Sequence, residues 1–340
     1  MQKTVVLGLS GGVDSAEAAE RLQTLGYRVE GVWLNLGFGS PEAAETAARQ
    51  LSIGFHIADA ADLQETLVRI PFGEAYRGGK TPNPCAHCNP LVKFPALLAA
   101  ADTLGAELVA TGHYSHVAFE EGRYRLYASG GRKDQSYMLS LLPQDILSRL
   151  IFPLSGLEKS AVRAAADASG LAAASAKDSQ DICFIPDGDY GAWLERRGIR
   201  LPPGDFVSSD GRVLGRHNGL HRYTVGQRRG LGVSAESRLY VLGFNAERNQ
   251  VILGREEELL TDTVSAGSVN WVSVPAQTEA FRAELKLRSG NSRVSALISP
   301  QADGTLCIQT EQPVRRPAAG QLAVGYWGDM LLFGAEILCV

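Results

Sequence analysis

No run of apolar residues in the 340-residue chain approaches the roughly 20 needed to cross a bilayer as a helix. Membrane-spanning helical classes are therefore excluded. Met1-Gln2-Lys3 leads directly into a strand pattern, which is not the layout of a signal peptide. Cysteine is scarce: five residues, an odd number in a long chain, fit a reducing cytosol better than a disulfide scaffold. Excess positive charge is also absent, since the net charge is −4, so the whole chain shows no basic signature of nucleic-acid binding. Internal repeats and low-complexity segments are missing too. What remains is ordinary globular composition, 45% apolar and 21% charged, with length for two or three domains.

The informative stretch is Leu9-Ser10-Gly11-Gly12-Val13-Asp14-Ser15. Thr4 to Leu9 is a short aliphatic run of the kind that forms a buried parallel strand. From Ser15 to Gly26 the residues Ala18, Ala19, Leu22 and Leu25 recur at helical spacing, with Gly26 as the stop. A turn with two glycines and two hydroxyls between strand and helix offers free main-chain N–H groups at the positive end of a helix, an anion site. No Gly-Lys-Ser/Thr follows, which excludes a Walker A loop. The order Ser-Gly-Gly-Val-Asp-Ser instead resembles the PP-loop of ATP pyrophosphatases, which grip the pyrophosphate of ATP and adenylate a substrate.

Downstream, the patterns predict strands at Arg28–Leu34, Ile53–Ala58 and Glu107–Thr111 and helices at 41–51, 63–76 and 95–104. This alternation predicts an α/β fold with a doubly wound parallel sheet, whose ligands sit beyond the carboxyl ends of the strands. Between Gly78 and Pro90 three prolines speak against helix or central strand. Val117 to Ala128 reads as a hairpin, Lys133 to Tyr137 opens a short helix, and helices follow at 159–169 and 190–197. Composition shifts at Leu201-Pro202-Pro203-Gly204 and again near 257–261. The expected domains are 1–200, a catalytic α/β unit; 201–260, a small mostly β adapter; and 261–340, a β-barrel of short alternating strands.

Charge is unevenly placed. Residues 200–340 carry 15 Lys/Arg, 14 of them Arg, against 14 Asp/Glu, and Gly211 to Ala235 holds five Arg and two His without a carboxylate. Arg222, Arg228 and Arg229 are candidates to dock phosphates there. Cys85-Ala86-His87-Cys88 is the second chemical feature; with no second C-x-x-C, sequence neighbours cannot build a closed four-cysteine zinc site. Cys307 and Cys339 lie in apolar strand patterns and read as core, whereas Cys183 lies in a short apolar segment of the catalytic unit.

Six motifs occur in order: the Leu9–Ser15 loop; Thr81-Pro82-Asn83-Pro84 with Cys88-Asn89 and Lys93-Phe94; Gly112-His113-Tyr114; Lys133-Asp134-Gln135-Ser136-Tyr137; Cys183-Phe184-Ile185; and Thr224 to Gly230. Together, and over almost the whole chain, they resemble the tRNA-specific 2-thiouridylase family. The resemblance implies an adenine nucleotide alpha hydrolase-like PP-loop fold. It also implies ATP-dependent thiolation of the wobble uridine: the C2 oxygen is adenylated, then sulfur displaces AMP. It assigns ATP to Gly8, Leu9, Ser10, Gly11, Gly12, Val13, Asp14, Ser15, Leu34 and Gly112, with Asp14 and Ser15 holding Mg²⁺ and phosphate. It assigns a persulfide to Cys183, which ends in a disulfide with Cys88. His113, Lys133, Asp134, Gln135, Arg288 and Gln321 match tRNA-contact positions. The implied partners are tRNA and a sulfur donor: a sulfur-carrier protein, a cysteine desulfurase or free sulfide. A monomer is expected.

Three departures stand out. Many members have Asp where this chain has Cys85, and the resulting three thiols (Cys85, Cys88, Cys183) match the number that related enzymes use to hold a 4Fe–4S cluster. A cluster and a persulfide/disulfide cycle are both open at this point. The link from Leu34 to Pro41 is shorter than the family's acidic loop, and Lys286-Leu287-Arg288-Ser289 stands where Arg-Tyr is commoner. Two other classes compete: an adenylating ligase of amidotransferase type with a small substrate, and a non-catalytic RNA binder. The former leaves Cys183 and the basic loop unused; the latter needs neither the phosphate loop nor the thiols.

Overall fold

The computed structural model describes residues 2–131, 133–175, 182–235, 237–290 and 292–339. The N-terminal sheet has five strands in the order β3-β2-β1-β4-β7: β1 (Thr4–Gly8), β2 (Arg28–Asn35), β3 (Gly54–Asp59), β4 (Leu108–Thr111) and β7 (Leu150–Ile151). Every pairing within it is parallel. Val5, Val6 and Leu7 of β1 are fully buried because helices cover both faces. On one face lie α1 (Val13–Thr24), α2 (Glu42–Leu51) and the helix Lys159–Ala168; on the other lies the helix Phe94–Thr103. The strand order reverses at β1, so the carboxyl ends of β2, β1 and β4 converge: Leu34 lies at the end of β2, and the Leu9–Ser15 loop and Gly112 follow β1 and β4.

The segment read as proline-broken is helical. Asn83 caps a helix Pro84–Cys88, its Oδ1 accepting from the Ala86 N–H at 3.2 Å, and Pro84 occupies the first turn, where a missing N–H costs nothing. Pro90 is accommodated by a wide, π-helical stretch Asn89–Lys93 that runs on into the helix Phe94–Thr103. A second such stretch, Glu65–Arg69, interrupts the helix predicted over 63–76.

A hairpin of β5 (Ser115–Glu120) and β6 (Arg123–Ala128) leaves this unit and joins the C-terminal sheet. That sheet is a closed barrel of β12 (Leu260–Trp271), β13 (Phe281–Lys286), β14 (Val294–Pro300), β15 (Leu306–Arg315), β16 (Leu322–Trp327) and β17 (Met330–Cys339). Pairing of β12 with both β15 and β17 closes it, which removes the barrel's free edges. The hairpin docks through Tyr127 and Leu126 on Met330 and Leu331, and Arg123 Nε donates to Val272 O at 2.9 Å. Between the two lies a four-stranded sheet, β10-β11-β8-β9, of β8 (Gly204–Ser208), β9 (Val213–His217), β10 (Tyr240–Asn245) and β11 (Gln250–Gly254). No described helix is long and apolar enough to cross a membrane.

Candidate active site

The phosphate loop is shaped by what presses on it. Gly11 has φ +82°, and a Cβ there would lie 2.6–2.7 Å from Ala43 Cβ and the Ala43–Ala44 backbone, so only glycine fits between loop and α2. A Cβ on Gly112 would lie 2.8 Å from the Asp14 backbone, which brings the end of β4 against the start of α1. Ser15 Oγ donates to Gly12 O at 2.9 Å and accepts from the Ser10 N–H at 3.2 Å, bracing the turn. The first N–H groups of α1 lack intrahelical acceptors, as at every helix start, and can face an anion.

Asp14 is differently engaged from the metal role that the resemblance implied. Its Oδ1 accepts from Tyr114 OH at 2.6 Å, and both carboxylate oxygens lie 2.7 Å from Lys159 Nζ. Lys159 is the first residue of its helix, with a side chain only 13% exposed, so an ammonium from the helix packed beside α1 is held next to the phosphate loop. Sequence reasoning missed both partners, because neither lies near the loop in the chain. The Asp14 carboxylate and Ser15 hydroxyl remain oxygen donors of the type Mg²⁺ takes.

Three of the cysteines lie near one another and near Lys93. Cys85 is half-buried, Cys88 buried and Cys183 open to solvent, and all three are free thiols. Burial pushes the Cys88 thiol up, opposed by the Lys93 charge and by the Lys93 main-chain N–H on its sulfur. Burial among the surrounding residues, then the neighbouring Cys85 and Cys88, push Cys183 up to about 11, although its edge is open. Lys93 opposes this shift too, and it burdens the neutral, buried His113 on its other side. Lys93 has no carboxylate partner among the described residues, which leaves its charge to the thiols. Among the described residues no three His, Cys, Asp or Glu side chains are gathered as metal ligands, so the placement of the thiols does not support the 4Fe–4S expectation. No disulfide joins Cys88 to Cys183 in this state.

Cys183 is anchored by Phe184 and Ile185, which pack with Phe72, Val92 and Trp193, while Ser179 to Asp181 lie outside the described residues. Arg69, which the sequence did not single out, stacks its guanidinium 5.0 Å from Phe38 and 5.8 Å from Phe184, and donates to Leu36 O at 2.7 Å. With the raised thiol, alkylation of Cys183 by iodoacetamide, followed by mass spectrometry, should accelerate about tenfold per pH unit from 7 towards 10, because thiolate is the reacting species. A rate flat above pH 8 would contradict that environment.

Of the residues matched to tRNA contacts, several spend their side chains inside the protein. Asp134 accepts from the Ser129 and Ser136 N–H groups and from Ser136 Oγ; Gln135 Oε1 accepts from the Tyr114 N–H at 3.0 Å. Gln321 Nε2 donates to Thr81 O at 2.7 Å, tying the barrel to the cysteine loop. His113 Nδ1 lies 2.7 Å from Thr111 Oγ1, and its ring packs between Phe94 and Phe152. Arg222, a candidate for phosphate, is paired with Glu195, Nε to Oε1 at 2.8 Å, and locks the adapter to the helix Tyr190–Arg196. Lys133, Arg228, Arg229 and Arg288 are exposed. Arg228 also lines a cavity of about 300 Å³ with Leu231, Val233 and Arg238, an exposed arginine that the sequence reading passed over.

Residues 3–187 match the family description "tRNA methyl transferase HUP domain", 192–255 its PRC-barrel domain and 261–337 the aminomethyltransferase β-barrel domain. A protein of Clostridium acetobutylicum named tRNA-specific 2-thiouridylase is 38% identical, over 99% of this chain and 100% of its own. Proteins of the same name from Heliobacterium modesticaldum (40%; 99% of this chain, 93% of theirs) and Acidithiobacillus ferrooxidans (41%; 98% of each) are similar throughout. With the phosphate loop, the three cysteines and the terminal barrel in one continuous match, the chain belongs to the tRNA-specific 2-thiouridylase family.

Proposed function

We propose that the protein is an ATP-dependent tRNA sulfurtransferase that thiolates C2 of the wobble uridine. The observation that carries this reading is the chain of neighbours Gly112, His113 and Lys93 that links the phosphate loop to the three thiols. Gly112 touches the phosphate loop at Asp14, and His113 next to it faces Lys93, whose charge acts on Cys85, Cys88 and Cys183. A base bound there meets nucleotide and sulfur at once, which neither a small-molecule ligase nor a passive RNA binder needs.

The uracil O2 attacks the α-phosphorus of ATP; the α–β P–O bond breaks, and pyrophosphate leaves into the N–H groups of the Gly11–Gly12 turn. Mg²⁺, when bound, neutralises the phosphate charge, with Asp14 and Ser15 as the residues to hold it. Lys159 stands ready as a second cation as Asp14 changes partner. Cys183 takes a sulfane sulfur from a donor persulfide, and that terminal sulfur adds to C2 and expels AMP. The Cys88 thiolate then attacks Cys183 Sγ; the Cys183 S–S bond breaks, its electron pair passes to the sulfur on C2, and 2-thiouridine leaves with a Cys88–Cys183 disulfide behind. An external dithiol supplies the two electrons that reset it. We infer that the enzyme acts in the cytoplasm, since five cysteines in a chain of this length fit a reducing compartment, and that it acts as a monomer.

Two experiments probe the parts. Under this route Cys85→Ala keeps most of its activity and anaerobically purified protein is active without iron; loss of activity with Cys85 together with stoichiometric iron and sulfide would instead establish a cluster. Charge reversal of Arg228 and Arg229 to Glu should weaken tRNA binding at least about tenfold at physiological salt and flatten the dependence of log K on log salt by about 1–2. Unchanged binding would remove the adapter loop from the docking surface.

A further inference from the structure

We propose that Gln64 is a positioning residue for sulfur transfer: its amide holds the Cys88 sulfur through its oxygen when Cys88 is a thiol and through its nitrogen when it is a thiolate. The inference rests on the reading that Cys88 takes part in the sulfur relay. Cys88 Sγ lies 3.2 Å from Gln64 Oε1, the thiol donating. Cys88 is 6% exposed and Gln64 is 0% exposed. The other end of the amide, Nε2, is buried and has no hydrogen-bond partner in the structure. A buried amide nitrogen left unpaired is unfavourable, and native proteins tolerate few such groups without a functional reason.

The local backbone explains the placement. Gln64 ends the turn Ala61–Gln64, and the wide stretch Glu65–Arg69 begins at the next residue. Cys88 ends the helix Pro84–Cys88, and the wide stretch Asn89–Lys93 begins at the next residue. Each residue thus sits where an α-turn opens into a π-turn, a local geometry that recurs at functional sites. The two joints meet at the Cys88 sulfur.

An amide is nearly symmetric in shape and opposite in its two ends: oxygen accepts, nitrogen donates. A half-turn about its last side-chain bond exchanges them in place. When Cys88 loses its proton to water, the sulfur can no longer donate to Oε1, but it accepts from Nε2–H in the same position. The amide turns and the sulfur does not move. The attack on Cys183 Sγ, which forms the Cys88–Cys183 bond and sends the broken bond's electron pair to the sulfur on C2, therefore starts from a fixed Cys88. A methionine side chain in place of Gln64 would hold neither state, and a carboxylate would hold the thiol but repel the thiolate.

The test uses full-length protein with Cys183 loaded with sulfane sulfur, ATP and tRNA. It compares wild type with Gln64→Met, which keeps length and volume, Gln64→Glu, which keeps only acceptors, and Cys88→Ser. In both Gln64 variants, single-turnover sulfur transfer should slow at least about tenfold. The tRNA KM and tRNA-stimulated ATP–pyrophosphate exchange should stay within about twofold, since adenylation does not use Cys88. If Cys88→Ser stops transfer while both Gln64 variants transfer at the wild-type rate, the role of Gln64 is overturned and the relay stands. If Cys88→Ser transfers normally, the relay itself is wrong. Loss of exchange together with transfer in both Gln64 variants would make Gln64 a packing residue and overturn the proposal as well.

Discussion

Cys183→Ser should abolish 2-thiouridine formation, by more than about 10³-fold, while tRNA-stimulated ATP–pyrophosphate exchange stays near the wild-type rate. The separation follows from where the two chemistries sit. Adenylation uses the turn after β1 and the start of α1, whereas Cys183 is anchored through Phe184 and Ile185, which pack with Phe72, Val92 and Trp193. A hydroxyl cannot carry sulfane sulfur, so no alternative nucleophile rescues the step. The adenylated tRNA then has water as its only acceptor, and AMP release should become uncoupled from thiolation. Quantitative nucleoside mass spectrometry beside an exchange assay reads both halves. Thiolation retained in Cys183→Ser would move the sulfur carrier to Cys85 or Cys88.

Gly11→Ala should produce the opposite phenotype. Its Cβ meets the Ala43 side chain and the Ala43–Ala44 backbone at 2.6–2.7 Å, in a conformation with φ +82° that L-residues avoid. Relief requires the turn to move by about 1 Å, enough to misplace the groups around the leaving pyrophosphate and lower exchange about 100-fold. The strain itself costs about 1–2 kcal/mol, so the fold should survive. Circular dichroism and the alkylation rate of Cys183 serve as controls for folding. Wild-type exchange in Gly11→Ala would mean that the turn does not carry the pyrophosphate.

The sequence and the structure agree most closely where the signal is local. Val5, Val6 and Leu7 lie in the predicted first strand, and Ala18, Ala19 and Leu22 face the core in the predicted first helix, whereas Leu25, at the same spacing, falls just past the helix end and is exposed. Long-range pairing left no comparable trace. Tyr127 pairs with Met330 across the chain, so the hairpin's membership in the C-terminal sheet could not be read from its own residues. Prolines misled for a related reason: Pro84 and Pro90 forbid helix only in an interior, and the Asn83 cap and the wide turn supply the exceptions.

The site shows the same division. The phosphate loop and the cysteines were visible as residue types in order. Their partners were not: Lys159 and Tyr114 reach Asp14 from 145 and 100 residues away, and Gln64 reaches Cys88 from 24. Side chains assigned to tRNA by motif, such as Asp134 and Gln321, form hydrogen bonds within the protein instead. Arg222 is likewise committed to Glu195. A motif identifies which residues cluster at the site, and only coordinates show what each side chain is already bonded to.

The central claim, that one site activates a tRNA base with ATP and then delivers sulfur to it, is tested most directly by reconstitution. Purified protein, ATP, a persulfide donor and an unmodified tRNA transcript are incubated, and the digested nucleosides are analysed by mass spectrometry alongside the nucleotide products. The account predicts 2-thiouridine at the wobble position only, formed with AMP and pyrophosphate in equal amounts. Product with ADP in place of AMP, or AMP formed without any thiouridine by the fully loaded wild-type enzyme, would contradict it.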